Sequence, residues 1–312
     1  MSAKKMAAKM DTDLTVDLGS VTMRNPVLTA SGCFGWGREY SQYYPLNQLG
    51  GVCAKAVTVS PRDGNSVPRV TEVTAGMLNA IGLANPGIAE VLNSELPWLA
   101  AQDVCVWVNI AGAALEEYCQ LAEAVADTQL ADVLELNVSC PNVKQGGLAF
   151  GTDPAVLKRL VRAVRERVNT PLFVKLSPNV TDIRPLAEAA VEAGADGLTL
   201  VNTLRGMAVD VKARQPVLST VHGGLSGPAI KPVALSMVYQ TAKTVDVPIV
   251  GCGGITSGSD ALEFFMVGAG AVQVGTANFT DPWAGPRIVR EIEEWMLQEG
   301  VRSLDEIRGI AL

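Results

Sequence analysis

Eight short apolar runs, each closed by a polar residue or glycine, constrain this chain's fold more than any other feature. They occupy residues 27–30, 51–57, 104–110, 133–138, 172–176, 197–201, 248–251 and 271–275. Helical periodicity lies between them, clearest over 115–126, 154–168, 183–193, 231–245 and 258–267. Asp153-Pro154 and the stretch 257–260 read as helix starts, with a polar cap before Pro or acidic residues. Gly194 reads as a helix stop. Strand and helix alternating in this rhythm predict an α/β fold, a (β/α)8 TIM barrel. Near-continuous apolar strands are what a parallel sheet covered by helices requires. Such a barrel takes about 250 residues, and the 312 here leave room for insertions. Aromatics make up 5% of the chain against 48% hydrophobic residues, so Val, Ile, Leu and Ala must fill the interior.

Two connections exceed a plain strand-to-helix turn. Residues 58–97 are rich in Pro, Gly and Asn, and 202–228 contain Gly206, Gly223, Gly224 and Gly227. Both predict extra hairpins and lid loops over the C-terminal face, since long loops in compact domains are commonly functional. Nothing marks a second domain, so 1–312 reads as a single barrel domain with a flexible tail at 1–13. The net charge of −7 argues against nucleic acid as a partner, which would need a clustered basic surface. No apolar run reaches the roughly 20 residues that span a bilayer. Lys4, Lys5 and Lys9 precede no apolar core of signal-peptide length. The expectation is a cytoplasmic protein without a membrane partner. The six cysteines, at 33, 53, 105, 119, 140 and 252, include no Cys-x-x-Cys pair, so neither a metal nor an iron–sulfur cradle is expected.

What stands at the C-terminal end of each run is more informative. Ser31 and Gly32 follow the first, Lys55 closes the second, and Asn109 ends the third. Asn137 leads into Cys140 after the fourth, and Lys175 ends the fifth. Asn202 and Thr203 follow the sixth, Gly253 and Gly254 the seventh, and Gly275 and Thr276 the eighth. Barrel enzymes place their chemistry on this face, often with a phosphate site after strands 7 and 8. Gly251-Cys252-Gly253-Gly254-Ile255, followed by a helix start at 257–260, predicts an anion cradle of free N–H groups and helix dipole. Gly268-Ala269-Gly270 precedes a strand instead of following one, so it is no dinucleotide fingerprint. A buried Lys55 or Lys175 needs an anionic or electron-rich partner; flavin, phosphate, a carboxylate or a structural ion pair would each serve. Asn79, Asn109, Asn137 and Asn202 offer uncharged donors and acceptors suited to a planar pyrimidine-like ring, though asparagine also favours turns. Cys140 is either an ordinary turn cysteine or a thiolate base. Nucleophilic Cys–His chemistry is poorly supported, because the one histidine, His222, lies in an unrelated loop. Gly146, Gly147 and Gly151 suggest that Cys140 rides on a mobile lid.

With these stretches in place, residues 14–310 resemble the class 1 dihydroorotate dehydrogenases. The resemblance is carried by Asn79-Ala80-Ile81-Gly82-Leu83-Ala84-Asn85-Pro86-Gly87 and Asn137-Val138-Ser139-Cys140-Pro141-Asn142. It is carried equally by Val201-Asn202-Thr203-Leu204-Arg205-Gly206-Met207 and His222-Gly223-Gly224-Leu225-Ser226-Gly227-Pro228-Ala229. It implies one FMN per chain, held between Ser31, Lys55, Ala56, Asn109, Asn137, Lys175, Val201, Gly227, Gly253, Gly254, Gly275 and Thr276. It implies substrate contacts from Lys55, Asn79, Ala80, Ile81, Gly82, Leu83, Asn137, Asn202 and Thr203. Cys140, where class 2 enzymes use serine, is implied as the base that takes the C5 proton of (S)-dihydroorotate while hydride passes from C6 to flavin N5. The product is orotate, a step of pyrimidine (UMP) synthesis.

The stretch 137–147 and Leu225-Ser226-Gly227-Pro228-Ala229-Ile230-Lys231-Pro232 look most like subclass 1B. That subclass implies a homodimeric core in a heterotetramer with an electron-transfer subunit. FAD and a [2Fe–2S] cluster are expected on that partner subunit alone, with NAD as final acceptor. Subclass 1A, which passes electrons to fumarate, is the nearest alternative. Dihydropyrimidine dehydrogenase ranks lower because Lys55 suits a substrate carboxylate that uracil lacks. A non-redox phosphate-binding barrel is the reading from a different class. Two departures stand out: Ala56 offers no hydroxyl where relatives often have one, and Cys33 falls near the expected flavin.

Overall fold

The computed structural model describes residues 12–139 and 150–312. Eight strands close a barrel: β1 (Val27–Thr29), β2 (Gly51–Cys53), β3 (Cys105–Ile110), β4 (Val133–Asn137), β5 (Leu172–Lys175), β6 (Gly197–Leu200), β7 (Ile249–Cys252) and β8 (Ala271–Val274). Each pairs in parallel with its sequence neighbours, and β8 pairs with β1 through Val274 and Thr29. This is the (β/α)8 architecture the apolar runs predict.

The helices bury their inner stripes against the barrel. In α2 (Pro154–Arg165; α1 is Leu115–Ala126), Leu157, Leu160, Val161 and Val164 fall on one face and are buried. The Asp153 side chain accepts from the N–H groups of Ala155 and Val156, and Pro154 occupies the first turn. Losing such a cap costs about 1 kcal/mol. Next come α3 (Arg184–Glu192), α4 (Lys231–Ala242), α5 (Gly258–Met266) and α6 (Ala284–Glu299). Left-handed Gly300, at φ 77°, ends α6.

Several boundaries differ from the sequence reading. The second run pairs as a ladder only through Cys53, and Val57 rejoins through a bridge to Ile110. Lys55 and Ala56 therefore sit on a bend where the chain leaves the barrel, with the Lys55 N–H bonded to Gly35 O. Residues 88–100 are helical inside the connection read as hairpins, and α6 also lacked a sequence assignment. Each long excursion folds back on itself as expected, Val70–Val73 on Gly76–Asn79 in the first and Leu204–Met207 on His222–Ser226 in the second. They meet in one antiparallel sheet, ordered Leu204–Met207, His222–Ser226, Gly76–Asn79, Val70–Val73. Ser226 ends its strand at the barrel mouth, where its Oγ accepts from Thr276 Oγ1 at 2.8 Å. Asp13 is tied to Arg302 O through its N–H. Among the described residues, no helix is long and apolar enough to cross a membrane, and no group of His, Cys, Asp or Glu could hold a metal ion.

Candidate active site

Barrel interiors are ordinarily filled by branched aliphatic side chains. Here the layer near the C-terminal end is polar. Thr29, Cys53, Asn109, Glu135, Lys175, Thr199 and Gln273 are all buried. Glu135 is the hub. Its Oε1 accepts from Asn109 Nδ2 at 2.7 Å and Cys53 Sγ at 3.2 Å. Its Oε2 accepts from Thr199 Oγ1 at 2.8 Å and Gln273 Nε2 at 2.7 Å. These donors come from β2, β3, β6 and β8, so the bonds cross the barrel interior. Gln273 Oε1 in turn accepts from Lys175 Nζ at 2.8 Å, and Lys175 Nζ lies 3.8 Å from Glu135 Oε1.

Burying an isolated carboxylate would cost several kcal/mol, and satisfied lone pairs with a facing cation offset that cost. Burial alone would raise the Glu135 carboxyl, yet Lys175 and the Asn109, Thr199 and Gln273 donors hold it below its ordinary range. Burial likewise opposes the Lys175 ammonium, but negative charge on Cys252, Glu135 and Cys53, wherever these are ionised, holds it above the usual lysine range. Cys252 and Cys53 are themselves pushed up by burial, so at neutral pH Glu135 is the anion that Lys175 faces. The sequence reading missed Glu135 and Gln273. Their signal was present: a charged residue and an amide in the middle of apolar strands that must be buried on both faces.

Above this layer, at the C-terminal ends of the strands, opens a cleft. Its walls include ten of the expected residues: Ser31, Lys175, Val201, Asn202, Thr203, Gly227, Gly253, Gly254, Gly275 and Thr276. Ala30, Cys33, Ser226, Ile230, Cys252, Ile255, Thr256 and Ala277 complete them. Lys175 is the one charged side chain among these described wall residues. Gly253 and Gly254 have φ of 131° and 76°. A Cβ on Gly254 would meet Lys231 N at 2.8 Å and Gly227 O at 3.0 Å. Among the described residues, the N–H groups of Gly253, Gly254 and Ile255 have no acceptor, so they form the donor cradle.

The helix N-terminus does not add to that cradle as the sequence suggested. Asp260 Oδ2 accepts from Thr256 N, Thr256 Oγ1 and Ser257 N. Glu291 Oε2 takes Gly258 N, and Ser257 Oγ takes Asp260 N. The first donors of α5 are consumed by its own capping box and by α6. Burial would raise Asp260, but bonds from Lys231, Thr256 and Ser257 hold it down at about 2. Lys231 Nζ reaches Asp260 Oδ1 at 2.7 Å and Glu263 Oε1 at 2.8 Å. That clamp fixes the cradle's far side from α4.

The remaining expected residues lie outside the cleft walls. Asn109 belongs to the polar layer, where its Oδ1 is buried with no partner among the described residues. Asn137 adjoins the cleft through its Oδ1, which accepts from Asn202 Nδ2 at 3.2 Å. Tyr118 holds the Asn137 carbonyl at 2.6 Å. Thr203 packs on the bare Cα of Gly224, and Asn79 Nδ2 reaches Gly224 O at 3.4 Å. Ala80, Ile81, Gly82 and Leu83 follow as a loop pinned by Asn65 and Asn85. Lys55 is half-buried; burial first, then Arg69, pull its ammonium below the ordinary range. Cys140 lies outside the described residues, as do Gly146 and Gly147; Ser139 precedes them, with its N–H on Asn137 Oδ1.

The described cysteines are poor bases. Cys33 is half-buried as a residue, but its thiol is enclosed and burial pushes it to about 12. Burial also pushes Cys105 to about 12 and raises Cys53, Cys119 and Cys252.

A family profile described as dihydroorotate dehydrogenase matches residues 13–296. The chain belongs to the dihydroorotate dehydrogenase family. It is 52% identical over 297 residues to a protein of Alkaliphilus metalliredigens (strain QYMF), covering 95% of this chain and 98% of that one. It is 51% identical over 296 residues to a protein of Geobacillus sp. (strain WCH70), covering 95% of each. Both relatives are named dihydroorotate dehydrogenase B (NAD(+)), catalytic subunit. A solved dihydroorotate dehydrogenase from Eimeria tenella, in complex with ferulenol, superposes with a TM-score of 0.79. That match has 25% identity and covers 97% of this chain and 89% of that one. Within a dihydroorotate dehydrogenase barrel, the cleft at the C-terminal strand ends is where chemistry belongs.

Proposed function

We propose that this chain oxidises (S)-dihydroorotate to orotate at the cleft, as the FMN-bearing catalytic subunit of an NAD-linked dihydroorotate dehydrogenase. One observation carries the reading: among the described residues, the cleft is lined by one buried ammonium, Lys175, together with a glycine cradle whose N–H groups have no acceptor. FMN has both ends this arrangement needs, a phosphate for the Gly253–Gly254 cradle and a ring whose reduced form gathers negative charge for Lys175. The unpaired, buried Oδ1 of Asn109 is an acceptor for a ring N–H. The residues therefore fit FMN. Ser31, Val201, Gly227, Gly275 and Thr276 line its place, while Lys55, Ala56, Asn109 and Asn137 flank it.

The bound flavin supplies a two-electron acceptor for the hydride at C6 of the substrate. The chain's own residues do the rest. Asn137 and Asn202, already joined, present amide groups to the substrate ring, with Thr203 and Asn79 beside them. Lys55 faces the substrate carboxylate, and Ala80, Ile81, Gly82 and Leu83 form the loop that closes that side. Cys140 takes the C5 proton. The elevated thiols of Cys33, Cys53, Cys105, Cys119 and Cys252 support that choice, since none of them offers a thiolate near neutral pH.

The relatives' naming as catalytic subunits of an NAD(+) enzyme supports a partner electron-transfer subunit; FAD and [2Fe–2S] on that partner, and a homodimeric core, are what the subclass 1B resemblance implies. The test is colour and turnover. Purified protein should be yellow, bleach anaerobically with dihydroorotate and not with dihydrouracil, and a tagged chain should retain a flavin and iron–sulfur partner. Colourless protein that cannot be reconstituted with FMN would sink the reading.

A further inference from the structure

Glu135 does not itself line the cleft, yet it contacts Lys175, the charged side chain among the described residues that does. The ammonium of Lys175 donates to Gln273 Oε1, and Gln273 has that oxygen free because its Nε2 is committed to Glu135 Oε2. A carboxylate at 135 thereby fixes which way the Gln273 amide points. It also supplies the negative charge 3.8 Å from Lys175 Nζ. Among the described residues, the other titratable groups facing Lys175 are Cys53 from β2, Cys252 from β7 and Cys33 from the loop after β1, and each is held as a neutral thiol by burial. With Glu135 neutralised, the lysine would be an unpaired charge in a buried site, which burial drives towards the uncharged amine.

We propose that Glu135 is a positioning residue that keeps Lys175 an ammonium aimed into the cleft in both redox states of the bound flavin. The inference rests on the flavin reading. With Lys175 permanently charged, two electrons enter the flavin with one proton, and the ammonium balances the negative charge left on the ring. Without Glu135, Lys175 is neutral beside the oxidised ring. Reduction then draws in two protons with the two electrons, one to the ring and one to Lys175 Nζ. Glu135 thus sets the proton stoichiometry of the half-reaction without touching substrate or cofactor.

The experiment compares wild type, Glu135→Gln and Glu135→Asp in two arms. The first follows the Lys175 ε-ammonium by ¹⁵N NMR against pH, assigned by Lys175→Arg. Wild type and Glu135→Asp should stay protonated past the ordinary lysine value of about 10.4, and Glu135→Gln should lose its proton below it. The second follows the midpoint potential of bound FMN against pH. The two-electron equilibrium should shift tenfold per pH unit in wild type and hundredfold in Glu135→Gln, about 30 and 60 mV per unit. Glu135→Asp should match wild type. Unchanged lysine protonation and an unchanged slope in Glu135→Gln would overturn the proposal. If that variant does not fold, a two-proton slope in wild type, or a wild-type Lys175 that titrates below 10.4, overturns it equally. If the chain binds no FMN, the flavin reading fails, and the NMR arm still decides what Glu135 does to Lys175.

Discussion

Replacing Gly254 with alanine tests the cradle at its most constrained point. Two costs can be worked out from the geometry. At φ 76° an L-residue pays about 1–2 kcal/mol for the left-handed conformation. The new methyl would also stand 2.8 Å from Lys231 N and 3.0 Å from Gly227 O. Both are backbone atoms held by α4 and the barrel mouth, so overpacking adds about 1–3 kcal/mol. The sum is about 2–5 kcal/mol. Gly300 is the control, because its φ is 77° and nothing lies within 4 Å of its Cβ position. Gly300→Ala should therefore cost about 1–2 kcal/mol and leave the cleft untouched. Urea unfolding of both apo variants isolates the steric part as their difference. FMN affinity, read by fluorescence quenching, isolates the site. Losing one charge-assisted bond to phosphate, about 1.5–3 kcal/mol, weakens binding about 10- to 150-fold in Gly254→Ala alone. If alanine at 254 proves no costlier than at 300 and FMN binds as in wild type, both the packing argument and the cradle are wrong.

Further predictions concern the chemistry and the clamp. Cys140→Ser should retain FMN while losing about 10²–10⁴-fold in turnover near neutral pH, as loss of a positioned base does; undiminished stopped-flow reduction by dihydroorotate would remove Cys140 from the mechanism. Wild-type turnover should rise with pH through a thiol-like ionisation near about 8.5 before environmental shifts. Lys55→Met should lower kcat/KM for dihydroorotate about 10- to 150-fold, mainly through KM, by removing the partner of the substrate carboxylate. For Asp260, the folded carboxyl at about 2 lies below its ordinary 3.8. Its contribution to stability is therefore full above 3.8 and lost as pH falls towards 2. Discounted for partial exposure, Asp260→Asn should cost about 1–2 kcal/mol at pH 7, and its gap from wild type should narrow below pH 4, measured by thermal melts across pH 2–7.

The amino-acid sequence by itself determined the barrel and most of the cleft. Parallel strands buried on both faces must be apolar for their whole length, so the eight runs announced themselves. Residues that break that rule at the strand ends, such as Lys175, Asn202 and Gly253, were therefore readable as site residues. The same logic applied to Glu135 and Gln273, but nothing local tells which interior polar residues meet. Their bonds join β4 to β2, β3, β6 and β8, and only closure of the barrel brings those strands within reach. The added sheet was hidden for a related reason. Its two hairpins each lie within one connection, but they join through Asn79 and Gly224, 145 positions apart, so no pattern within either connection reveals that pairing. Tertiary structure also reversed one expectation. The start of α5 looked like an anion site, until Asp260 and Glu291 were found using its first donors. Periodicity records which face of an element is buried, and it is silent about which partner each polar group finds there. For this chain, that choice of partner is what converts a lysine at a strand end into a permanent cation under the cleft.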